Sequence, residues 1–200
     1  MAVKETRPQF ILASASPRRR ELLEQIGCLF AVDPTDVDEA PLRAESPAVY
    51  VTRMALEKAA AGLNHNRWRE LPVLAADTTV VCEEQVFGKP ADRREALAML
   101  RRLSGNTHRV LSAVAMCDGH RYEQRLSETL VSFREIDEAE CQRYWDSGEP
   151  ADKAGAYGIQ GYGAVFVSAI QGSYSGVVGL PLAETCELLR AFGLSWWIKA

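Results

Sequence analysis

The junction Ile11-Leu12-Ala13-Ser14-Ala15-Ser16-Pro17-Arg18-Arg19-Arg20-Glu21-Leu22-Leu23 constrains the fold more than any other stretch of this chain. A short apolar strand pattern runs into Ser-x-Ser-Pro and then into an amphipathic helix pattern. Ser16 is a natural N-cap and Pro17 a natural first helical residue, since proline's fixed φ suits the first turn. The helix start therefore exposes backbone N–H groups beside the hydroxyls of Ser14 and Ser16. Arg18, Arg19 and Arg20 fall in the first turn, where the helix dipole favours acids. Three cations there are unfavourable unless an anion sits among them, and a phosphate bound at the helix N-terminus would supply it. The competing reading is three solvated arginines paired with acids such as Glu21 and Glu24.

Strand and helix patterns alternate through the first half. Strands are predicted at Phe10–Ala13, Leu29–Val32 and Val73–Ala76, and helices at Pro17–Ile26 and from Ser46-Pro47 to about Leu63. Val80–Cys82 and Val86-Phe87 read as a hairpin around Glu83-Glu84-Gln85, and Asp92–Leu103 as a helix. Arg109–Cys117 and Tyr122–Phe133 read as long strands joined at Asp118-Gly119, a type I′ turn signal. Asp137–Ser147 is predicted helical, Ala164–Ile170 a strand, and Pro181–Phe192 the last helix. The expected fold is α/β, a mixed twisted sheet with flanking helices. With 200 residues and no linker or repeat, the chain is expected to form a single domain over residues 1–200.

Composition narrows the function. Hydrophobic residues make up 47% and charged residues 25%, as in an ordinary globular protein. No apolar run approaches the ~20 residues that span a bilayer. Met1–Gln9 reads as neither a secretory signal nor a transit peptide, so a cytoplasmic location and no membrane partner are expected. The net charge of −4 disfavours nucleic acid as a partner. Cys28, Cys82, Cys117, Cys141 and Cys186 are scattered without a C-x-x-C and read as reduced, mostly buried residues. His65, His108 and His120 lack metal-ligand spacing, which disfavours zinc.

Further polar clusters stand out. Asp77 follows the apolar Val73–Ala76, and an acid at the end of a buried strand reaches the region where α/β sheets bind ligands. The alternative is a turn cap into Thr78-Thr79. Glu39, in the acidic loop Asp36–Glu39, could join Asp77 at Mg²⁺, which takes one or two carboxylates and leaves the rest of its shell to water and phosphate. A plain polar loop is the alternative. Lys58 reads as an exposed helical lysine paired with an acid, and Lys89 is held on the stiff turn Gly88-Lys89-Pro90. In Asp152–Gly163, four glycines permit close backbone approach to a ligand, or simply turn the chain. Lys153 could contact phosphate or pair with Asp152, and Gln160 could present its amide to a planar base. The order of residues does not fit a Walker-type phosphate loop.

These clusters, in this order, strongly resemble the Maf family of nucleoside triphosphate pyrophosphatases. The matching segments are Ser14–Arg19, Asp38-Glu39, Glu57-Lys58-Ala59, Ala76-Asp77-Thr78, Gly88-Lys89-Pro90, Ser104-Gly105, Asp152–Gly161 and Val178-Gly179-Leu180-Pro181, spanning Ile11 to Phe192. The resemblance implies a fold like that of inosine triphosphate pyrophosphatases, with two lobes around a nucleotide cleft. It implies cleavage of a nucleoside triphosphate to the monophosphate and pyrophosphate with a divalent cation, Mg²⁺, Mn²⁺ or Co²⁺. Asp77 matches the family's proton acceptor, and Arg18, Thr78 and Gln160 match the specificity positions of the branch acting on dTTP, UTP and modified uridine nucleotides. Ser14, Ser16, Arg18, Lys58, Lys89 and Lys153 are then expected to hold phosphate, and Glu39 and Asp77 the metal. Gln160 could pair with the N3–H and O4 of uracil or thymine, but a flipped amide could accept cytosine. A homodimer is a family-level expectation. The runner-up is a nucleotide-binding regulator of septum formation without turnover, for which the acid Asp77 would be a liability beside polyphosphate. The Trp196-Trp197 tail lies outside these motifs.

Overall fold

The computed structural model describes residues 7–64 and 70–198. Seven strands form one mixed sheet: β1 (Phe10–Leu12), β2 (Phe30–Val32), β3 (Val73–Cys82), β4 (Gln85–Phe87), β5 (Thr107–Cys117), β6 (Tyr122–Phe133) and β7 (Val167–Gln171). Their order is β2-β1-β3-β5-β6-β7, with β4 added to β3. The helices are α1 (Pro17–Gln25), α2 (Pro47–Asn64), α3 (Arg93–Leu103), α4 (Glu138–Asp146), α5 (Tyr174–Val178) and α6 (Leu182–Ala191). None of the described helices is long and apolar enough to cross a membrane. The chain divides into two compact units, passing between them at residues 77–78, 112–113, 126–127 and 178–179.

The first unit holds residues up to Asp77, Ala113–Leu126 and the segment from Gly179 onward. β1 pairs in parallel with β2 and with β3, Leu12 lying opposite both Val32 and Leu74. Phe10, Leu12, Leu23, Met54, Leu74, Leu188 and Leu189 are sealed from solvent in its core. α1 begins as the Ser-Pro signal requires, with Ser16 at the N-cap and Pro17 first in the helix. The expected hydroxyl cap is not made. Instead the Ser16 amide donates to Ser14 Oγ at 3.2 Å. At its other end α1 meets the C-terminal tail, where the amides of Trp197 and Ile198 donate to the carbonyls of Ile26 and Gly27 at 2.7 and 3.0 Å. The tail thus satisfies carbonyls that a helix end leaves open.

The second unit holds Thr78–Ser112 and Ser127–Val178. β3 and β4 form an antiparallel hairpin, Cys82 opposite Gln85, so the turn is the two residues Glu83 and Glu84 rather than three. α3 and α4 are tied by Arg101, whose guanidinium donates to both oxygens of Glu138 at 2.6 and 2.8 Å. A cluster of rings, His108, Phe133, Tyr157, Phe166 and Tyr144, fills the core here, edge-to-face except for the tilted pair of Phe133 and Phe166. The strand expected at Ala164–Ile170 starts only at Val167, because Tyr162–Phe166 winds into a 3₁₀ turn that carries Phe166 into this cluster. α5, unforeseen in the sequence, is nucleated by Ser173 Oγ accepting the Gly176 amide at 3.0 Å. Between β5 and β6 only Gly119 takes positive φ (88°), the sign pattern of a type II′ rather than a type I′ turn.

Candidate active site

In the first unit the site is built on the β1–α1 junction. Ser14 Oγ accepts from the Ser16 amide and from Arg19 Nη1, both at 3.2 Å. Both lone pairs being used, the Ser14 proton is left to donate elsewhere. Arg19 Nε donates to the carbonyl of Gly179 at 2.9 Å, which fixes the plane of the guanidinium. Burial pushes the Arg19 pKa below the usual arginine range, while Asp77 and Glu39 draw it up and Arg18 draws it down. Arg18 is half-buried, and the outward Arg20 stands 3.7 Å from Glu24 in an exposed helical pair. Of the three arginines, then, Arg20 alone follows the solvated reading. Arg19 was not singled out as a site residue by the sequence, yet it lies three and four positions before the buried Leu22 and Leu23, which places it on the inner face.

Three more predicted residues meet at one atom. Lys58 Nζ, from α2, lies 2.7 Å from Asp77 Oδ1 and 2.6 Å from Glu39 Oε1. The Lys58 and Asp77 side chains are each 12% exposed, whereas Glu39 is 54% exposed. The loop that carries Glu39 is pinned to α2 along its length. Tyr50 Oη donates to the Glu39 carbonyl at 3.0 Å, and Arg53 donates to the Ala40 carbonyl at 3.1 Å and to both oxygens of Glu45. Burial, with Asp77 and Glu39 nearby, pushes the Tyr50 hydroxyl up to about 12, so it stays a proton donor at neutral pH. Asp36 and Asp38 are exposed, and Asp38 Oδ1 only closes a local turn by accepting the Ala40 amide.

Asp77 is not at a strand end. β3 runs on through Asp77, Thr78 and Thr79 to Cys82, and every residue but Thr78 is buried. The polar run does not break the strand because partners meet it: Lys58 satisfies Asp77, and Ser112 satisfies Thr78.

In the second unit, Thr78 Oγ1 lies 2.9 Å from Ser112 Oγ, which donates to the Gly176 carbonyl at 2.6 Å. Lys89 and Gln160 are exposed. The carbonyl of Gly88 accepts the amide of Gly155 at 3.0 Å, which joins the Gly-Lys-Pro turn to the glycine-rich loop. Gly155 itself is required. Its φ is 70°, and a Cβ there would come within 2.9 Å of Val80. Lys153 Nζ donates to the Glu149 carbonyl at 2.8 Å and to Asp152 Oδ1 at 2.6 Å, so its ammonium braces the loop that carries Gln160. The sequence also missed Glu149. Its carboxylate accepts from Tyr144 Oη, the Gly163 amide and the Tyr162 amide at 2.7, 3.0 and 2.7 Å. Burial pushes its pKa up, but these hydrogen bonds outweigh that and hold it below the usual range. An added Cβ at Gly161 would run into this carboxylate, which is a second reason for glycine in the loop.

Among the described residues no group of three or more His, Cys, Asp or Glu side chains could hold a metal. A pair is present: the Glu39 and Asp77 oxygens converge on one nitrogen. Two hard carboxylate donors, one well exposed, fit a Mg²⁺-type ion that completes its shell with water and phosphate. Of the histidines, His108 is buried against Tyr157, His120 lies in the β5–β6 turn, and His65 falls outside the described residues. All five cysteines are free. Burial pushes the Cys28 and Cys117 thiols up to about 11 and about 12, which makes both poor nucleophiles.

The family model for Maf-like proteins matches residues 9–192, and the chain belongs to that family. Among its relatives is a "dTTP/UTP pyrophosphatase" of Hahella chejuensis, 50% identical over 192 residues that cover 96% of each chain. A protein of the same name from Alkalilimnicola ehrlichii is 53% identical over 196 residues, 96% of each chain. Another, from Saccharophagus degradans, is 55% identical over 188 residues, 93% of this chain and 90% of its own.

Proposed function

We propose that this protein hydrolyses dTTP and UTP, and modified uridine triphosphates, to the nucleoside monophosphate and pyrophosphate. The observation that carries the reading is the Glu39–Lys58–Asp77 cluster in the same unit as the Ser14–Arg19 helix start. Water attacks the α-phosphorus, an oxygen–phosphorus bond forms, and the bond to the bridging oxygen breaks with its electron pair leaving on pyrophosphate. Asp77 takes the proton from the water. Lys58 fixes the orientation of that carboxylate and has a third N–H to offer a phosphate oxygen. Ser14, Ser16, Arg18 and Arg19 bind phosphate through the remaining Ser14 proton, the helix start and the guanidinium groups. Lys89 and Lys153 are assigned to the same polyphosphate, the latter after release from Asp152. Thr78 and Gln160 read the base, and Arg18 tunes that choice.

Glu39 and Asp77 would hold the divalent cation, Mg²⁺, Mn²⁺ or Co²⁺, which when bound neutralises phosphate charge and lowers the pKa of a coordinated water. The same reading carries a cytoplasmic location and a homodimer. A nucleotide-binding regulator without turnover is disfavoured, because a carboxylate beside a polyphosphate repels it unless metal or proton transfer is involved. The test is a panel of dTTP, UTP, CTP, GTP and 7-methyl-GTP with Mg²⁺ or Mn²⁺, before and after exhaustive chelation. Pyrophosphate should be released from dTTP and UTP in preference to the rest, with activity lost on chelation and restored by metal. Orthophosphate as the product, or a preference for 7-methyl-GTP, would overturn the assignment, and full activity without metal would remove the cation.

A further inference from the structure

Gln160 sits on a turn rather than on a helix or strand. The amide of Gly161 donates to the carbonyl of Gly158 at 3.4 Å, which puts Ile159 and Gln160 at the two central positions. Ile159 is buried and Gln160 exposed. A single bond of that length holds a turn poorly, so its stiffness has to come from outside. One hydrogen-bonded pair supplies it at both ends. Glu149 Oε1 accepts from Tyr144 Oη at 2.7 Å and from the Gly163 amide at 3.0 Å, and Oε2 accepts from the Tyr162 amide at 2.7 Å. Tyr144 Oη in turn accepts the Gly158 amide at 3.0 Å. Burial and the Glu149 carboxylate push the Tyr144 hydroxyl well above its ordinary range, so its proton stays available to Glu149. Glycines make room for the pair. A Cβ on Gly161 would run into the Glu149 carboxylate, and one on Gly163 would come within 2.6 Å of Tyr144 Oη. The carboxylate thus serves the amides that follow Gln160 directly, and the one that precedes the turn through Tyr144.

We propose that Glu149 is a positioning residue for base specificity, fixing, through Tyr144 and the amides of Tyr162 and Gly163, the turn that presents Gln160 to the base. The proposal rests on the reading of Gln160 as a base contact in a pyrimidine nucleotide pyrophosphatase. Uracil offers a donor at N3 and an acceptor at O4, and the amide of Gln160 can meet both. Guanine offers the same pair at N1 and O6, but one fused ring further from the sugar. The chemistry of the amide therefore cannot tell the two bases apart, whereas its placement can. A turn held at both ends keeps Gln160 at the distance that suits a pyrimidine. A loosened turn would give way to the longer purine and would meet uracil less often with both bonds. Discrimination of this kind depends on a site whose polar groups are held in place.

The test compares kcat and KM for UTP and GTP in the wild type, Glu149→Gln, Gln160→Ala and the double variant. Glutamine keeps the size of glutamate but has one oxygen. With that oxygen in the place of Oε1, its NH₂ faces the Tyr162 amide, donor against donor. The UTP-to-GTP ratio of kcat/KM should fall about tenfold, the worth of one hydrogen bond to a charged group. The change should lie in KM, higher for UTP and lower for GTP, with kcat for UTP within about twofold. Lys153 donates to the backbone carbonyl of residue 149 at 2.8 Å, a contact that the substitution keeps. In the Gln160→Ala background, Glu149→Gln should leave the ratio unchanged, because it acts through Gln160. If Glu149→Gln does not fold, Tyr144→Phe removes one hydroxyl and leaves the Gly158 amide unpaired, with the same fall expected. A ratio that Gln160→Ala does not move overturns the reading of Gln160, and the inference with it. A ratio that falls in Gln160→Ala but not in the positioning variant, or equal losses of kcat for both nucleotides in that variant, overturns the inference and leaves that reading standing. A further fall in the double variant does the same.

Discussion

The ammonium of Lys58 is the point at which two carboxylates are gathered, and this decides what each substitution there does. Asp77→Asn keeps an oxygen that can accept from Lys58 at 2.7 Å, but an amide cannot take a proton from water. Turnover of dTTP should fall by about 10²–10⁴-fold, the usual loss for a general base, with the thermal midpoint nearly unchanged. A folded Asp77→Asn protein with wild-type turnover would remove Asp77 from the chemistry. Asp77 was visible in the sequence as an acid following an apolar run, whereas Glu39 also read as part of a polar loop and Lys58 as an exposed helical lysine. Their meeting at one nitrogen was not visible, because it depends on β3 and α2 packing side by side and on Tyr50 and Arg53 holding the Glu39 loop. Arg19 was hidden among three arginines, and only the helical phase of Leu22 and Leu23 distinguishes it.

At the scale of elements, the β3–β4 hairpin stores strain. Glu83 and Glu84 have φ values of 50° and 61°, both in the left-handed region that a two-residue type I′ turn demands. Each glutamate reaches an arginine, Glu83 to Arg102 at 2.7 Å and Glu84 to Arg109 at 2.8 Å. Left-handed backbone costs a side chain about 1–2 kcal/mol per residue. An exposed ion pair returns about 0–1 kcal/mol. The double variant Glu83→Asn, Glu84→Gly should therefore stabilise the fold by about 1 kcal/mol, read as a higher urea midpoint at unchanged slope. A lower midpoint would mean that the two ion pairs outweigh the strain. The same balance explains where the sequence was legible. Alternating apolar residues with Ser-Pro, Asp-Gly and Gly punctuation located most strands and helices. Local pattern failed where a tertiary partner overruled it: at Thr78-Thr79, held in β3 by Ser112; at Tyr162–Phe166, drawn into the ring cluster; and at α5, short and glycine-containing but fastened through Ser173 and Ser112.

Among the described residues, Glu45, Glu138, Glu140 and His108 are all held below their ordinary values, and each of these shifts works toward loss of stability in acid. Ion pairing with arginine, together with hydrogen bonds, holds Glu45, Glu138 and Glu140 down to about 2 from an ordinary 4.5. Their contribution is complete above pH 4.5 and is lost as pH falls toward 2. His108 acts earlier. Burial pushes its imidazole from 6.5 down to about 4. Its Nε2 is paired with Tyr157 Oη at 2.8 Å, and its Nδ1 is buried without a hydrogen-bond partner. Below pH 6.5 the unfolded chain takes up a proton that the folded chain refuses until about pH 4. Stability should therefore fall as pH drops through that window, by about 3 kcal/mol at 1.36 kcal/mol per pH unit. His108→Phe preserves the edge-to-face packing on Phe133 and Tyr157 but cannot titrate. Urea unfolding at pH 7.5 and 5.5 should show the first part of this decline in the wild type and a nearly flat profile in His108→Phe, while both proteins lose stability as pH falls through about 4.5 and the carboxylates titrate. A decline of equal size in His108→Phe would assign the loss to another group. Between pH 7.5 and 5.5 the carboxylates could not account for it, because their ordinary value of 4.5 in the unfolded chain lies below that window.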